Sequence, residues 1–136
     1  LQAISSVKFV YDTTYDLLKH AEAALVTSGT ATLETGLFKV PQVVLYTAGS
    51  AEYVLLKKLV KVKYISLVNL IADKLVIREM IQDDMNFTSV NAELEKILKD
   101  NAYRNEMLSA YDKIYQTLDT GSASENAAKL MVNYLR

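Results

Sequence analysis

The sequence predicts an α/β fold, a small parallel sheet followed by a helical tail, from three observations. Short apolar, β-branched runs alternate with helix-spaced segments through the first half, at the pace of βαβ units. Two of these runs, at 23–27 and 42–46, are nearly continuous in apolar residues, as strands covered on both faces are. The second half changes period and places its apolar residues at offsets of three and four.

In chain order, residues 7–11 are β-branched and aromatic and suit a first strand. Asp12, Thr13 and Thr14 then supply capping side chains, and Tyr15, Leu17, Leu18 and Ala21 carry a helical spacing that places His20 at a helix end. The run 23–27 is the next strand. Ser28, Gly29 and Thr30 break it, and 31–39 reads as a helix. Pro41 sets the turn into a buried strand at 42–46. Residues 51–62 are helical by composition, and 64–67 make a fourth short strand. Thr88 is a candidate N-cap for a helix with Val90, Leu94, Ile97 and Leu98 on one stripe. A second stripe runs through Tyr103, Met107, Tyr111, Ile114, Tyr115 and Leu118. After a break at Thr120, Gly121 and Ser122, a third holds Ala127, Leu130, Met131, Tyr134 and Leu135.

This organisation divides the chain into an α/β part at 1–72 and a mainly helical tail at 73–136. Open parallel sheets of this kind usually hold five or six strands. A sheet of three or four, in a chain that starts on Leu1 and reaches a strand almost at once, reads as a piece cut from something longer.

Composition excludes several classes. A chain of 136 residues that is 51% hydrophobic buries a real core and is too apolar for a disordered tail. A net charge of −1 provides no global field for nucleic acid, and the absence of cysteine removes a disulfide scaffold and a thiolate zinc site. No stretch approaches the ~20 uninterrupted apolar residues of a membrane-spanning helix. With His20 the single histidine, a His-based metal site and a Ser-His-Asp triad lack members. Asp83 and Asp84 read as a solvated loop. Tyr103, Tyr111, Tyr115 and Tyr134 fall on apolar stripes and read as core or interface rather than as base-stacking platforms. Lys57, Lys58, Lys61 and Lys63 read as the solvated face of a helix, or as a surface for anionic headgroups.

The turn from Ser28 to Glu34 carries the chemistry. Ligands of open α/β sheets bind where strand ends lead into helix N-termini. There Gly29 permits close approach of the backbone, the amides from Thr30 to Leu33 lack intrahelical partners, and the helix dipole favours an anion. Ser28, Thr30 and Thr32 add hydroxyls, and Ala31 leaves the mouth open, so a diphosphate fits. No Gly-Lys pair follows, as a Walker loop requires, and a lone Gly29 is no dinucleotide fingerprint. A simply capped helix after a strand explains the same residues equally well. Glu34 lies four residues past Thr30, on the same helix face, and one residue late for a capping box. A carboxylate there can accept hydrogen bonds from two ribose hydroxyls, or simply complement the positive helix end.

The run Ser28-Gly29-Thr30-Ala31-Thr32-Leu33-Glu34 resembles the lipid-A-disaccharide synthases. So do Pro41-Gln42-Val43-Val44 with Tyr46, Lys57-Lys58-Leu59-Val60-Lys61, and Tyr64-Ile65-Ser66-Leu67-Val68-Asn69-Leu70. The likeness holds in register from Ala23 to about Gln82 and loosely through the last helices. It implies a GT-B glycosyltransferase, of which this chain is part of the Rossmann-like, carboxyl-terminal, nucleotide-sugar domain, with the acceptor domain and its general base absent. The implied reaction joins UDP-2,3-diacylglucosamine to 2,3-diacylglucosamine 1-phosphate with inversion and release of UDP, in lipid A and so lipopolysaccharide biosynthesis. The same resemblance implies that Ser28, Gly29, Thr30, Ala31 and Thr32 hold the diphosphate, Glu34 the ribose, and that Asn69 contacts the nucleotide. For Asn69 a strand-end turn is the simpler reading of the residue itself, and for Tyr46 a place in the core. No metal or other cofactor is implied, since the helix N-terminus stabilises the departing diphosphate.

The implied partners are the UDP-sugar donor, the acylated glucosamine phosphate acceptor, a second copy through the carboxyl-terminal helices, and the cytoplasmic face of the inner membrane of a Gram-negative bacterium as a peripheral surface. Nucleic acid is not among them. The chain departs from the family pattern at Thr47-Ala48-Gly49-Ser50-Ala51-Glu52, where bulky or basic residues are common. The expectation for the chain alone is weak UDP binding without transfer. Another UDP-sugar GT-B transferase and a non-catalytic α/β interaction module are the alternatives.

Overall fold

The computed structural model describes residues 7–27, 29–47, 63–119 and 121–134. The elements in order are α1 (Thr14–His20), β1 (Ala24–Thr27), α2 (Thr30–Leu37), β2 (Gln42–Tyr46), α3 (Leu67–Ala72), β3 (Glu79–Ile81), a 3₁₀ turn (Gln82–Asp84), α4 (Phe87–Lys99), α5 (Asn101–Leu118) and α6 (Ala123–Tyr134). The three strands form a parallel sheet in the order β1-β2-β3, with Ala24 opposite Gln42 and Val44 opposite Glu79. This is the expected α/β architecture with a helical tail.

β2 is central, and Val43 and Val44 are fully buried because helices cover both faces. The core joins them to Val68, Ile77, Met80, Ile97, Met107, Tyr111 and Ile114. α4 and α5 meet almost without a connection. Asp100 ends the first and caps the second, its carboxylate accepting from the amides of Ala102 and Tyr103 at 3.0 Å. Gly36 lets α2 and α5 close together, since a Cβ there would lie 3.4 Å from the Tyr111 ring and from Val68 Cγ2.

Several expectations are corrected. Residues 7–11 form no strand, and Phe9 is 82% exposed. An extended segment becomes a strand only beside a neighbour that completes its ladder, and none of the described residues provides one. β1 is not covered on both faces: it pairs with β2 alone and leaves Leu25 49% exposed. Residues 64–67 are not a strand either. The amides of Ile65 and Ser66 donate to the Glu79 carboxylate, and Ser66 caps α3 by accepting from the Asn69 amide. Asn86, not Thr88, caps α4, accepting from Ser89 N at 3.0 Å. β3 was not expected; three residues that include a glutamate carry little strand signal. Tyr115 and Leu118 of the second stripe are exposed, and so are Leu130, Met131 and Tyr134 on α6, so these residues are not part of the core. The helix expected at 51–62, with Lys57, Lys58 and Lys61, and Leu135 all lie outside the described residues.

Candidate functional site

The carboxyl ends of β1 and β2 point toward one rim of the sheet, and α2 begins there. Gly29 is its N-cap, with φ 129° and ψ −160°, a region populated almost solely by glycine. Apart from its chain neighbours, no atom of the described residues lies within 4 Å of where a Cβ would sit, so conformation rather than crowding demands glycine. Among the described residues no side chain caps the helix, and its first turn carries no acidic residue. Its positive end is therefore uncompensated locally.

The predicted residues divide. Thr30 and Ala31 are exposed at the start of α2, where backbone amides lack helical acceptors. Thr32 is fully buried and faces back into the turn: its amide donates to Gly29 O at 3.2 Å and its hydroxyl to the same oxygen at 2.8 Å. The Thr32 hydroxyl thus braces the loop. Ser28 lies outside the described residues. Glu34 is half-buried and lines an open cleft of about 510 Å³ with Asp12, Thr13, Thr14, Tyr15, Asp16 and Lys19. Tyr15 stacks on Phe38 at 5.3 Å between centroids, which holds α1 against the end of α2 and shapes that cleft. Lys19 is paired with Asp16 at 3.0 Å. The acidic side chains in the wall suit a neutral ligand rich in hydroxyls, and the bare helix end suits an anion. One ligand carrying both groups can span the two.

Asn69 sits apart from this rim in its contacts. It is fully buried, and its side chain is saturated. Nδ2 donates to Ile77 O at 2.8 Å and to Glu79 Oε1 at 2.9 Å, and Oδ1 accepts from the amides of Val76 and Ile77 at 2.7 and 3.0 Å. Tyr46 is half-buried at the end of β2, paired with Ile81. Asp83 and Asp84 are exposed in the 3₁₀ turn, and among the described residues no group of three or more His, Cys, Asp or Glu converges as metal ligands would. No helix among them is long and apolar enough to cross a membrane.

Two residues were missed from the sequence. Glu79 gathers the amides of Ile65 and Ser66, the Ser66 hydroxyl and the Asn69 amide. Gln42 is fully buried beneath α2. Each is a polar residue flanking or interrupting an apolar run, and that interruption was the available signal.

A family model described as lipid-A-disaccharide synthetase matches residues 2–132. A lipid-A-disaccharide synthase of Geobacter sulfurreducens is 33% identical over 129 residues, 95% of this chain and 34% of its own length. One of Psychromonas ingrahamii is 39% identical over 120 residues, covering 88% of this chain and 30% of that protein. One of Coxiella burnetii is 31% identical over 129 residues, 95% and 34% respectively. The chain spans about a third of the length of these curated relatives.

Proposed function

The chain belongs to the lipid-A-disaccharide synthase family, and from that we propose that it is the nucleotide-sugar-binding part of a glycosyltransferase of lipid A biosynthesis. The donor on this reading is UDP-2,3-diacylglucosamine and the acceptor 2,3-diacylglucosamine 1-phosphate. The observation that carries it is the start of α2 at Gly29, uncapped among the described residues, with Glu34 one turn further along the same face and set in the wall of an acidic cleft.

The chemistry follows from that arrangement. Backbone amides at Thr30 and Ala31, with the Thr30 and Ser28 hydroxyls, receive the diphosphate at the positive helix end. Negative charge grows on the leaving diphosphate as the sugar's anomeric bond breaks, so fixed donors there lower the barrier. The Glu34 carboxylate accepts from the ribose hydroxyls and sets the direction in which the nucleoside lies. Thr32 and Asn69 serve from below, one bracing the turn and the other holding α3. The acceptor and the general base belong to parts of the protein other than these residues, and the 136 residues bind UDP without transferring sugar. α6 presents Leu130, Met131 and Tyr134 to solvent on one side, a face suited to a second copy of the chain. We place the whole protein at the inner face of the inner membrane as a peripheral enzyme.

Calorimetric titration with UDP, GDP and ADP tests the reading. Binding of UDP ahead of the other two is expected. A folded chain with no heat of UDP binding would remove the nucleotide assignment, and equal binding of all three would remove the uridine preference.

A further inference from the structure

We propose that Gln42, backed by Tyr111, is a positioning residue for the diphosphate-binding turn; this rests on reading the start of α2 as that site. Gln42 opens β2 and is 0% exposed. Its Nε2 carries two hydrogens and has two acceptors, Thr32 O at 2.9 Å and the Tyr111 hydroxyl oxygen at 3.3 Å. Turning the amide over would set Oε1 against the Thr32 carbonyl, two acceptors face to face, so Thr32 fixes its orientation. Thr32 in turn donates twice to the Gly29 carbonyl, from its amide and from its hydroxyl. A continuous buried chain therefore runs from α5 through β2 into the first turn of α2 and ends at the one residue of the loop held in a glycine-only conformation. Such backbone persists only where its surroundings over-determine it.

The arrangement is poor for stability alone. Among the described residues Gln42 Oε1 has no hydrogen-bond partner although it is buried, and Val43 and Val44 beside it show that apolar side chains fit this strand. Burying an unpaired acceptor is unfavourable, and an apolar side chain of similar volume avoids it. What the amide supplies and an apolar chain cannot is a directed donor under Thr32. Stability and ligand binding should consequently respond to its removal in different ways.

The test is the double variant Gln42→Met/Tyr111→Phe, which removes both partners while keeping volume, read beside the single Tyr111→Phe. We expect the double variant to melt at or near the wild-type temperature, since removing both members of a buried pair is close to neutral. Its UDP dissociation constant should rise ~3- to 10-fold, the scale of one neutral hydrogen bond. The ¹⁵N amide signals of Gly29 and Thr32 should shift and exchange faster with solvent, and Tyr111→Phe should move the same signals less. Unchanged UDP affinity with unchanged Gly29 and Thr32 signals overturns the proposal, as does a loss of stability with no change at those two amides. If the wild-type chain binds no UDP, the nucleotide reading falls, and the two amides alone decide whether Gln42 positions the turn.

Discussion

Asn69 donates from Nδ2 to Glu79 Oε1 at 2.9 Å, and between them the two side chains tie both ends of α3 to the sheet. Glu79 takes the backbone amides entering the helix, at Ile65 and Ser66, while Asn69 Oδ1 takes those leaving it, at Val76 and Ile77. A helix of six residues is far too short to form alone. This bracket replaces the missing intrinsic stability.

Asn69→Asp should therefore be costly although it changes one atom type. It removes the donor to Ile77 O and Glu79 and sets two carboxylates in contact. We expect a loss of about 2–4 kcal/mol near pH 7 in urea unfolding. Like charges raise the carboxyl pKa values of the folded pair, so the penalty grows as pH rises and should shrink below about pH 5. A variant as stable as wild type at pH 7 would show that the bracket is dispensable.

Gly29→Ala meets no steric obstacle but forces an L-residue to φ 129°. Strain of about 1–3 kcal/mol is expected, either lowering the urea midpoint or relaxing the turn. In both cases UDP affinity in the titration should drop. Wild-type affinity and stability together would mean that the turn does not depend on this geometry.

Glu34→Gln should weaken UDP by about tenfold or more if the carboxylate accepts from ribose, because hydrogen bonds to a charged group are worth ~1.5–3 kcal/mol. UDP lacking its 2′ and 3′ hydroxyls should bind wild type and variant alike. A variant that loses the dideoxy ligand as well would place Glu34 elsewhere on the nucleotide.

Tyr111 makes the fold sensitive to alkali. Burial pushes its hydroxyl pKa well above the ordinary value of 10.0, with the Gln42 hydrogen bond opposing the shift. Unfolded tyrosine ionises first, so this stabilisation is complete below pH 10 and is lost as pH climbs from there toward the folded value. The slope is about 1.4 kcal/mol per pH unit for one group. Denaturant midpoints measured from pH 9 to 11 should fall in wild type and fall less steeply in Tyr111→Phe.

Much of the architecture was legible along the chain because it is encoded locally. The apolar run of β2, the offsets of three and four in α4 and α5, and the break around Gly121 all follow from periodicity and backbone preference. The site turn was legible for the same reason: a lone glycine between a strand and a helix, followed by Glu34 at one turn's spacing, is contained in seven consecutive residues. Strand formation at 7–11 and 64–67 was not, since a strand exists only with its neighbour and a local pattern cannot name one. The amides at 65 and 66 went to a carboxylate thirteen or fourteen residues away instead.

The sequence by itself determined that the chain is α/β, that a helix begins beside Gly29, and that Thr30, Ala31 and Glu34 share a face toward its amino-terminal end, because each depends on residues within a turn or two of one another. Only the tertiary structure decided that Thr32 faces inward, that Asn69 and Glu79 brace α3, and that Gln42 reaches Tyr111 across 69 positions of chain. Hydrogen bonds between distant segments depend on which buried donors and acceptors packing brings within 3 Å or so, and no local spacing records that.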